Sequence, residues 1–545
     1  MLAAGVFANK LVADDDHGRF QFVPETLVVS RSVYAGSAAS VTVGQTLPPG
    51  CVAGNVTLPT LAGGTTTVNI PANSNSGCNA AIADGTYPTV FNNDTADGSF
   101  GITSPIFLDD ITTDGWRLGT LPIPSSEIVT SFSSKSELAL NLATDGRSIT
   151  FAGYRGGPGF VTGPNQLDVS NSNTPGVVDP SNPVSSQYYR SVAEVDAYGH
   201  LMITEGNAYS GNNGRAAIKA NSLYYMTGND NNGGLSKSQL TTTQVGVNLV
   251  SSTGVELLVP GQAPPLPPNI NKIGDFEVTQ VGYKTADKPG KDNNFRGLTI
   301  HNNTLYVTKG SGGNGINTVY QVGAAGTLPT GATAELAATP ITILPGFSTV
   351  EASGTALNGS TNNPVAFPFG LWFADDSTLY VCDEGDGTLV TPAVNGNVAT
   401  AAAQATAGVQ KWKLVNGTWT MLYVLQRGLN IGVPYGVPNY PTALNPATDG
   451  CRNITGRHNW DGTVTIFAVT STVSASGDQG ADPNKLVRVT DLLSATTLPT
   501  GDGDHDRDDQ LGQFQTIRSA GFGEVLRGVA FAPTPFGLDD HGRRF

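Results

Sequence analysis

Polar and apolar residues alternate in short runs along this chain, and the runs come in sets. The clearest set is Arg296-Gly-Leu-Thr-Ile-His-Asn-Asn-Thr-Leu-Tyr-Val-Thr308, followed by Thr318-Val-Tyr-Gln-Val322. Period-two alternation, β-branched and aromatic residues and an Asn-Asn turn predict strand, tight turn, strand, loop, strand, and argue against helices. The set returns from Phe369: Phe-Gly-Leu-Trp-Phe-Ala-Asp-Asp-Ser-Thr-Leu-Tyr-Val381, then 409–414, an Asn-Gly turn at 416 and 417, and 419–425. This is a four-stranded meander. A third copy runs 452–455, 463–469, 485–489 and 513–517, and a fourth 137–140, 148–154, 189–195 and 200–204. A fifth is 215–220, 223–227, 245–250 and 255–259, with 276–281 as an extra edge strand.

The sixth copy is divided between the chain ends. Arg527-Gly-Val-Ala-Phe-Ala532 matches a first strand with nothing after it, whereas 27–30, 104–109 and 117–123 are three strands lacking a first. Joining them lets a ring of repeats close without open sheet edges, which favours a β-propeller over stacked sandwiches. The expectation is all-β: a six-bladed propeller, seven-bladed if 266–281 hides another unit. It occupies 27–532 with a rim insertion at 35–103, and has tails at 1–26 and 533–545. In arrangement the chain resembles the six-bladed propellers of the NHL, SMP-30 and strictosidine-synthase type. That resemblance carries no catalytic residues over to this sequence.

Composition agrees with such a fold. Gly 67 and Pro 34 supply turns, only 13 % of residues are charged, and 39 % are hydrophobic, which excludes general disorder and coiled coils. With Lys+Arg 29 against Asp+Glu 44 the net charge is -15, so phosphate backbones are repelled and nucleic acid is excluded as a partner. No apolar run is long enough to span a membrane. Four cysteines, few lysines and many small polar residues point to an extracellular or periplasmic protein. Cys51 and Cys78 share one inserted loop and are expected to bridge; Cys382 and Cys451 are expected to join adjacent blades, with two other pairings open. Six N-x-[ST] sequons occur, near chance for this composition.

In an up-and-down blade of strands a to d, the b–c and d–a connections share one face and the a–b and c–d turns the other. The long insertions 35–103, 156–188 and 384–408 are all b–c, so that rim is the expected functional face. First strands line the axis, and four of them begin with Arg215, Arg296, Arg452 and Arg527; Phe369 and Ser136 stand in the other two places. Converging guanidinium groups would form a cationic funnel for a carboxylate or phosphate ligand. Alternatively, each pairs with carbonyls or with a carboxylate such as Asp292, Asp449 or Glu524. Gly310, Gly312 and Gly315 spell G-x-G-x-x-G after a strand, but a strand and not a helix follows, so no dinucleotide site is implied.

His301, His458, His200 and His505 fall in turns on the opposite face, and His17 and His541 in the tails. No H-E-x-x-H, G-x-S-x-G or Walker motif occurs, so chemistry on the rim would fall to Asp, Glu, Tyr, Arg or a metal. The metal candidate is Asp502-Gly-Asp-His-Asp-Arg-Asp-Asp509, whose Asp502, Asp504 and Asp506 repeat the start of a calcium loop before Arg507 and Gln513 depart from it. The sequence thus reads as a secreted propeller binding a small molecule, glycan or partner protein on the insertion-bearing face. A calcium-dependent hydrolase of esterase or lactonase type and an extracellular assembly protein are the alternatives.

Overall fold

A computed structural model describes residues 20–34, 42–44, 46–47, 53–59, 65–70, 79–80, 86–88, 103–132, 137–155, 190–206, 214–228, 247–251, 272–275, 277–278, 294–310, 315–330, 336, 339–350, 366–390, 400–401, 404–474, 480–499 and 511–537. The fold is an all-β propeller. Among the described residues the one named helical element is a 3-10 turn at Thr442–Leu444, and no helix is long and apolar enough to cross a membrane.

Among the described residues six sheets have four or more strands. Sheet I is ordered Glu524–Phe531, Leu27–Val33, Ile106–Ile111, Arg117–Ile123, so the last strand pairs with the first, Leu27 opposite Phe531 and Val33 opposite Glu524. Sheet II is built on Ser148–Arg155, Arg190–Asp196 and Leu201–Gly206, and sheet III on Gly214–Ala220, Leu223–Gly228, Val247–Ser251 and Lys272–Asp275. Sheet IV runs Phe295–His301, Thr304–Lys309, Thr318–Val322, Pro340–Ile343. Sheet V runs Pro368–Asp375, Thr378–Asp383, Gly408–Val415, Thr418–Leu425, and sheet VI Ala447–His458, Thr463–Val473, Lys485–Leu492, Gln515–Ser519.

Counted as continuous four-stranded blades among the described residues, the propeller has five, not the six or seven expected. Sheet II is the exception. Its inner place is held by the two-residue strand Asn141–Leu142, while Ile128–Ser131 pairs with the other end of Ser148–Arg155. The expected first strand, 137–140, is broken by Leu138, whose φ of 66° lies in the left-handed region that a ladder does not accommodate. The described residues of the 266–281 segment join other sheets: Lys272–Asp275 is the fourth strand of sheet III, and Glu277–Val278 pairs in parallel with Pro340–Ile343 in sheet IV. The fourth strand expected at 255–259 lies outside the described residues.

The strands form because their turns and faces agree. Asn302 and Asn303 (φ 47° and 54°) and Asn416 and Gly417 (φ 51° and 79°) adopt the left-handed conformation that two-residue hairpins require. Ser148–Arg155 and Thr378–Asp383 are buried at every position, as strands between two neighbours must be, whereas the outer Arg117–Ile123 is largely exposed. Apolar clusters fill the spaces between sheets. Val28 and Leu108 of sheet I meet Ile149 and Phe151 of sheet II, and Ala152 meets Ala217 and Tyr224 of sheet III. One cluster joins sheets III, IV and V; another joins V and VI; and Phe467 of sheet VI stands 5.9 Å from Phe531 of sheet I. Phe22 is also buried in the cluster between sheets I and II, so ordered packing begins before Leu27.

Two interfaces also contain charge. Between sheets V and VI, Lys411 Nζ lies 3.0 Å from Asp491 Oδ2 with both side chains fully buried, and donates to the carbonyls of Leu492 and Ala495. Tyr380 and Tyr423 donate to the same carboxylate at 2.6 and 2.9 Å. Between sheets VI and I, Asp109 accepts from Arg31, Arg518 and Thr120. Removing one member of a buried pair strands the other charge, which costs about 3–5 kcal/mol. Lys411→Met should therefore lower unfolding free energy by about that amount, and adding Asp491→Leu should restore part of it; denaturant titration of the single and double variants measures both.

Candidate functional site

The inner strands meet at one level along the axis, and the repeated Arg-Gly pairs explain how. A Cβ added at Gly297 would lie 2.1 Å from the Phe369 carbonyl oxygen, and one at Gly528 would lie 2.3 Å from that of Leu138. Glycine is needed because these strands approach backbone to backbone. At the same level Val529 N donates to Asn453 Oδ1 at 2.6 Å, Ala139 bridges Ala216, and Thr227 Oγ1 donates to the Arg296 carbonyl. Arg215, Arg296, Arg452 and Arg527 thus share one belt, with Phe369 and Leu138 in the remaining positions. Ser136, expected in the sixth place, lies outside the described residues.

All four arginines are buried, Arg215 to 1 % exposure and the others to 4–5 %. Arg452 Nε is 3.0 Å from Glu384 Oε2, a carboxylate in the connection after strand Thr378–Asp383, which places this arginine at the insertion-bearing end. Arg527 donates to Ser32 Oγ at 3.2 Å and to the Phe132 carbonyl, and the Arg296 guanidinium stands 5.6 Å over the Phe369 ring. Glu524 instead bridges Arg31, and Asp449 accepts from Gly387 N and Gln404; Asp292 lies outside the described residues.

Further charged groups gather at this end that strand pattern alone did not single out. Glu137 accepts from Tyr154, Thr130 and the Ser131 amide, and Arg190 stands 4.9 Å over the Tyr154 ring. Lys309 is buried and donates to Asn317 at 3.1 Å. Each sits at the end of a strand b or c or beside a first strand, so only the sheet topology brings them to the belt.

Beside Arg452, the Cys382–Cys451 disulfide ties strand Thr378–Asp383 of sheet V to strand Ala447–His458 of sheet VI, with Cα atoms 5.3 Å apart. The acidic residues around it are held by backbone amides. Asp383 accepts from Phe367 N, Gly385 N and Gln410. Burial pushes the Asp383 carboxyl up to about 6. It pushes Asp449 to about 7, where the amide of Gly387 opposes the rise and the charges of Asp386 and Glu384 add to it. Among the described residues no group of three or more His, Cys, Asp or Glu is arranged to hold a metal. Asp502, Asp504, Asp506, Cys51 and Cys78 lie outside the described residues, as do most of the 35–103 and 156–188 insertions.

Beyond the belt, on the face of the a–b turns, the axis opens into a cavity of about 510 Å³ lined by Leu140, Ile218, Ile300, Leu371 and Trp372, with His301 and Asn302 at its edge. His301 stacks on Phe373 with ring centres 4.5 Å apart, and its Nε2 is 3.0 Å from Asp376. His458 bonds the Ala374 carbonyl, and His200 lies 2.8 Å from Asp196. These histidines are committed to turns.

No family model matches the chain, and no curated protein matches it. The resemblance to NHL, SMP-30 and strictosidine-synthase propellers therefore extends to the propeller arrangement alone. Similar solved structures include the GH43 BlXynB protein from Bacillus licheniformis, at 8 % identity over 74 % of this chain with a TM-score of 0.28; this chain spans 58 % of that one. The hemagglutinin-neuraminidase of parainfluenza virus 5 is 9 % identical, with 92 % of this chain and 98 % of that chain covered and a TM-score of 0.26. A hypothetical selenium-binding protein from Sulfolobus tokodaii is 9 % identical, with 80 % and 90 % covered and a TM-score of 0.29. Likeness this slight carries nothing about the site to this chain.

The raised carboxyls set a pH dependence. In the folded protein Asp383 and Asp449 keep protons that the unfolded chain releases near its ordinary carboxylate pKa of about 4, so their contribution favours folding at low pH and is lost as pH rises through about 4 to 7. Asp449→Asn should flatten that slope, so that the stability difference between pH 5 and pH 8 is smaller in the variant than in the parent; denaturant midpoints at the two pH values test this.

Proposed function

We propose that this is a ligand-binding propeller working outside the cytoplasm, whose insertion-bearing end takes a small carboxylate- or phosphate-bearing molecule at Arg215, Arg296, Arg452 and Arg527. In this proposal the six sheets form one ring, closed where Glu524–Phe531 pairs with Leu27–Val33. The reading is supported by the backbone level itself: Arg215, Arg296, Arg452 and Arg527 each lie in an inner strand beside a position that contacts a neighbouring inner strand, inside a protein of net charge -15. Guanidinium groups present fixed donor forks that match carboxylate and phosphate oxygens, and charge interactions strengthen where water is excluded. The Arg452–Glu384 pair fixes one fork and Phe369 orients another. The Cys382–Cys451 bridge supports the compartment, because disulfides persist where the surroundings are oxidising.

Citrate, succinate and inorganic phosphate are suitable first probes, by thermal shift and calorimetry. Arg296→Ala and Arg527→Ala should each weaken the bound anion by at least about tenfold, while Arg296→Lys, which keeps the charge, should lose less. Unchanged binding of every tested anion in both alanine variants would reject the belt as the site. Loss of Tm alone, with anion affinity retained, would assign the arginines to structure.

A further inference from the structure

The face opposite the insertions carries a polar cleft of about 410 Å³ between sheets VI and I, within the usual size of small-molecule sites. Its lining includes Asp114, Arg457, Arg488, Gln513 and Gln515. The two arginines differ. Arg488 is fixed: it bridges Asp114, donates to Gln515 Oε1 at 3.0 and 3.1 Å, and reaches the Thr113 carbonyl at 3.2 Å. Arg457, near the end of strand Ala447–His458, is half-buried, its Nε is buried with no hydrogen-bond partner, and among the described residues no carboxylate bridges it. The Nε of Arg457 has given up water without regaining a hydrogen bond, and the side chain lines the cleft, so an anion there meets a cation that no carboxylate has neutralised.

The turn that supplies Thr113 and Asp114 to the cleft and the turn that follows Arg457 each carry an exposed tryptophan. Trp116 ends the turn that supplies Thr113 and Asp114, and is 77 % exposed; Trp460, in the turn following Arg457, is 94 % exposed. The turn at Trp460 is held by Asn459, whose amide N donates to the Thr463 carbonyl and whose Nδ2 donates to Thr463 and Thr465, so its geometry owes nothing to the indole. Aromatic faces are electron-rich and apolar, the complement of the C–H face of a sugar ring.

We infer that this cleft binds an acidic saccharide, with ring faces on Trp116 and Trp460, a uronate carboxylate on Arg457, and hydroxyl groups on Gln513, Gln515 and Asp114. A neutral sugar would leave Arg457 unmet, and a bare phosphate would leave both indoles unused. The inference is independent of the arginine belt. The test titrates the full chain with a short oligogalacturonate, a neutral galactose oligomer of the same length, and inorganic phosphate, followed by calorimetry and tryptophan emission. The oligogalacturonate should bind with a change in emission, and the neutral oligomer should bind at least about tenfold more weakly. Arg457→Gln should remove that preference, and Trp460→Ala and Trp116→Ala should each weaken the uronate. No binding of either sugar, phosphate binding as tight as the uronate, or uronate affinity unchanged in Arg457→Gln would each overturn the assignment.

Discussion

Each sheet of this molecule has to bury both faces against its neighbours, and the rest of the structure follows from that requirement. A lone meander leaves one apolar face wet. Sheets set face to face around an axis have no such face, and the clusters from Val28 and Phe151 to Phe467 and Phe531 are the result. The same requirement forces the inner strands together, which is why glycine follows arginine at 297 and 528.

Burial on both faces also limits where charge can go. Several charged side chains inside the sheets sit in hydrogen-bonded groups, such as Asp491 with Lys411, Tyr380 and Tyr423, or Asp109 with Arg31 and Arg518. There the charge is spent on joining neighbouring sheets. At the insertion-bearing end the accounting differs. Arg452 and Glu384 pair, while Asp383 and Asp449 are held with carboxyl groups that give up their protons reluctantly, so the balance of charge around the belt shifts with pH near neutrality.

Much of the strand pattern was legible because it is local. Alternation and the Asn-Asn and Asn-Gly turns located the hairpins of sheets IV and V, and Cys382 and Cys451, each next to the end or start of a recognisable strand, pointed to the bridge between sheets V and VI. The inner strand of sheet II was not legible. Residues 137–140 carry a strand-like pattern, yet Leu138 turns left-handed and Ile128–Ser131 takes part of the pairing instead. In sheet III the fourth described strand is Lys272–Asp275, which the strand pattern did not single out, and the expected 255–259 lies outside the described residues. Glu137, Arg190 and Lys309 carried no signal at all, because nothing along the chain distinguishes a charge at the end of a central strand from one in a loop.

By itself the sequence determined what each short segment prefers to be: which runs are strands, which residues turn them, that charge is scarce within them, and that arginine recurs at the start of first strands. Those preferences depend on neighbours a few residues away, and such neighbours can be read in one dimension. Only the tertiary structure decided which sheet each edge strand joins, how many blades are continuous, that Arg452 faces Glu384, and that Asp114 and Arg457 line one cleft though 343 positions separate them in the chain. Those outcomes depend on how twisted sheets stack, and stacking brings distant residues together through backbone approach and burial that no local pattern records.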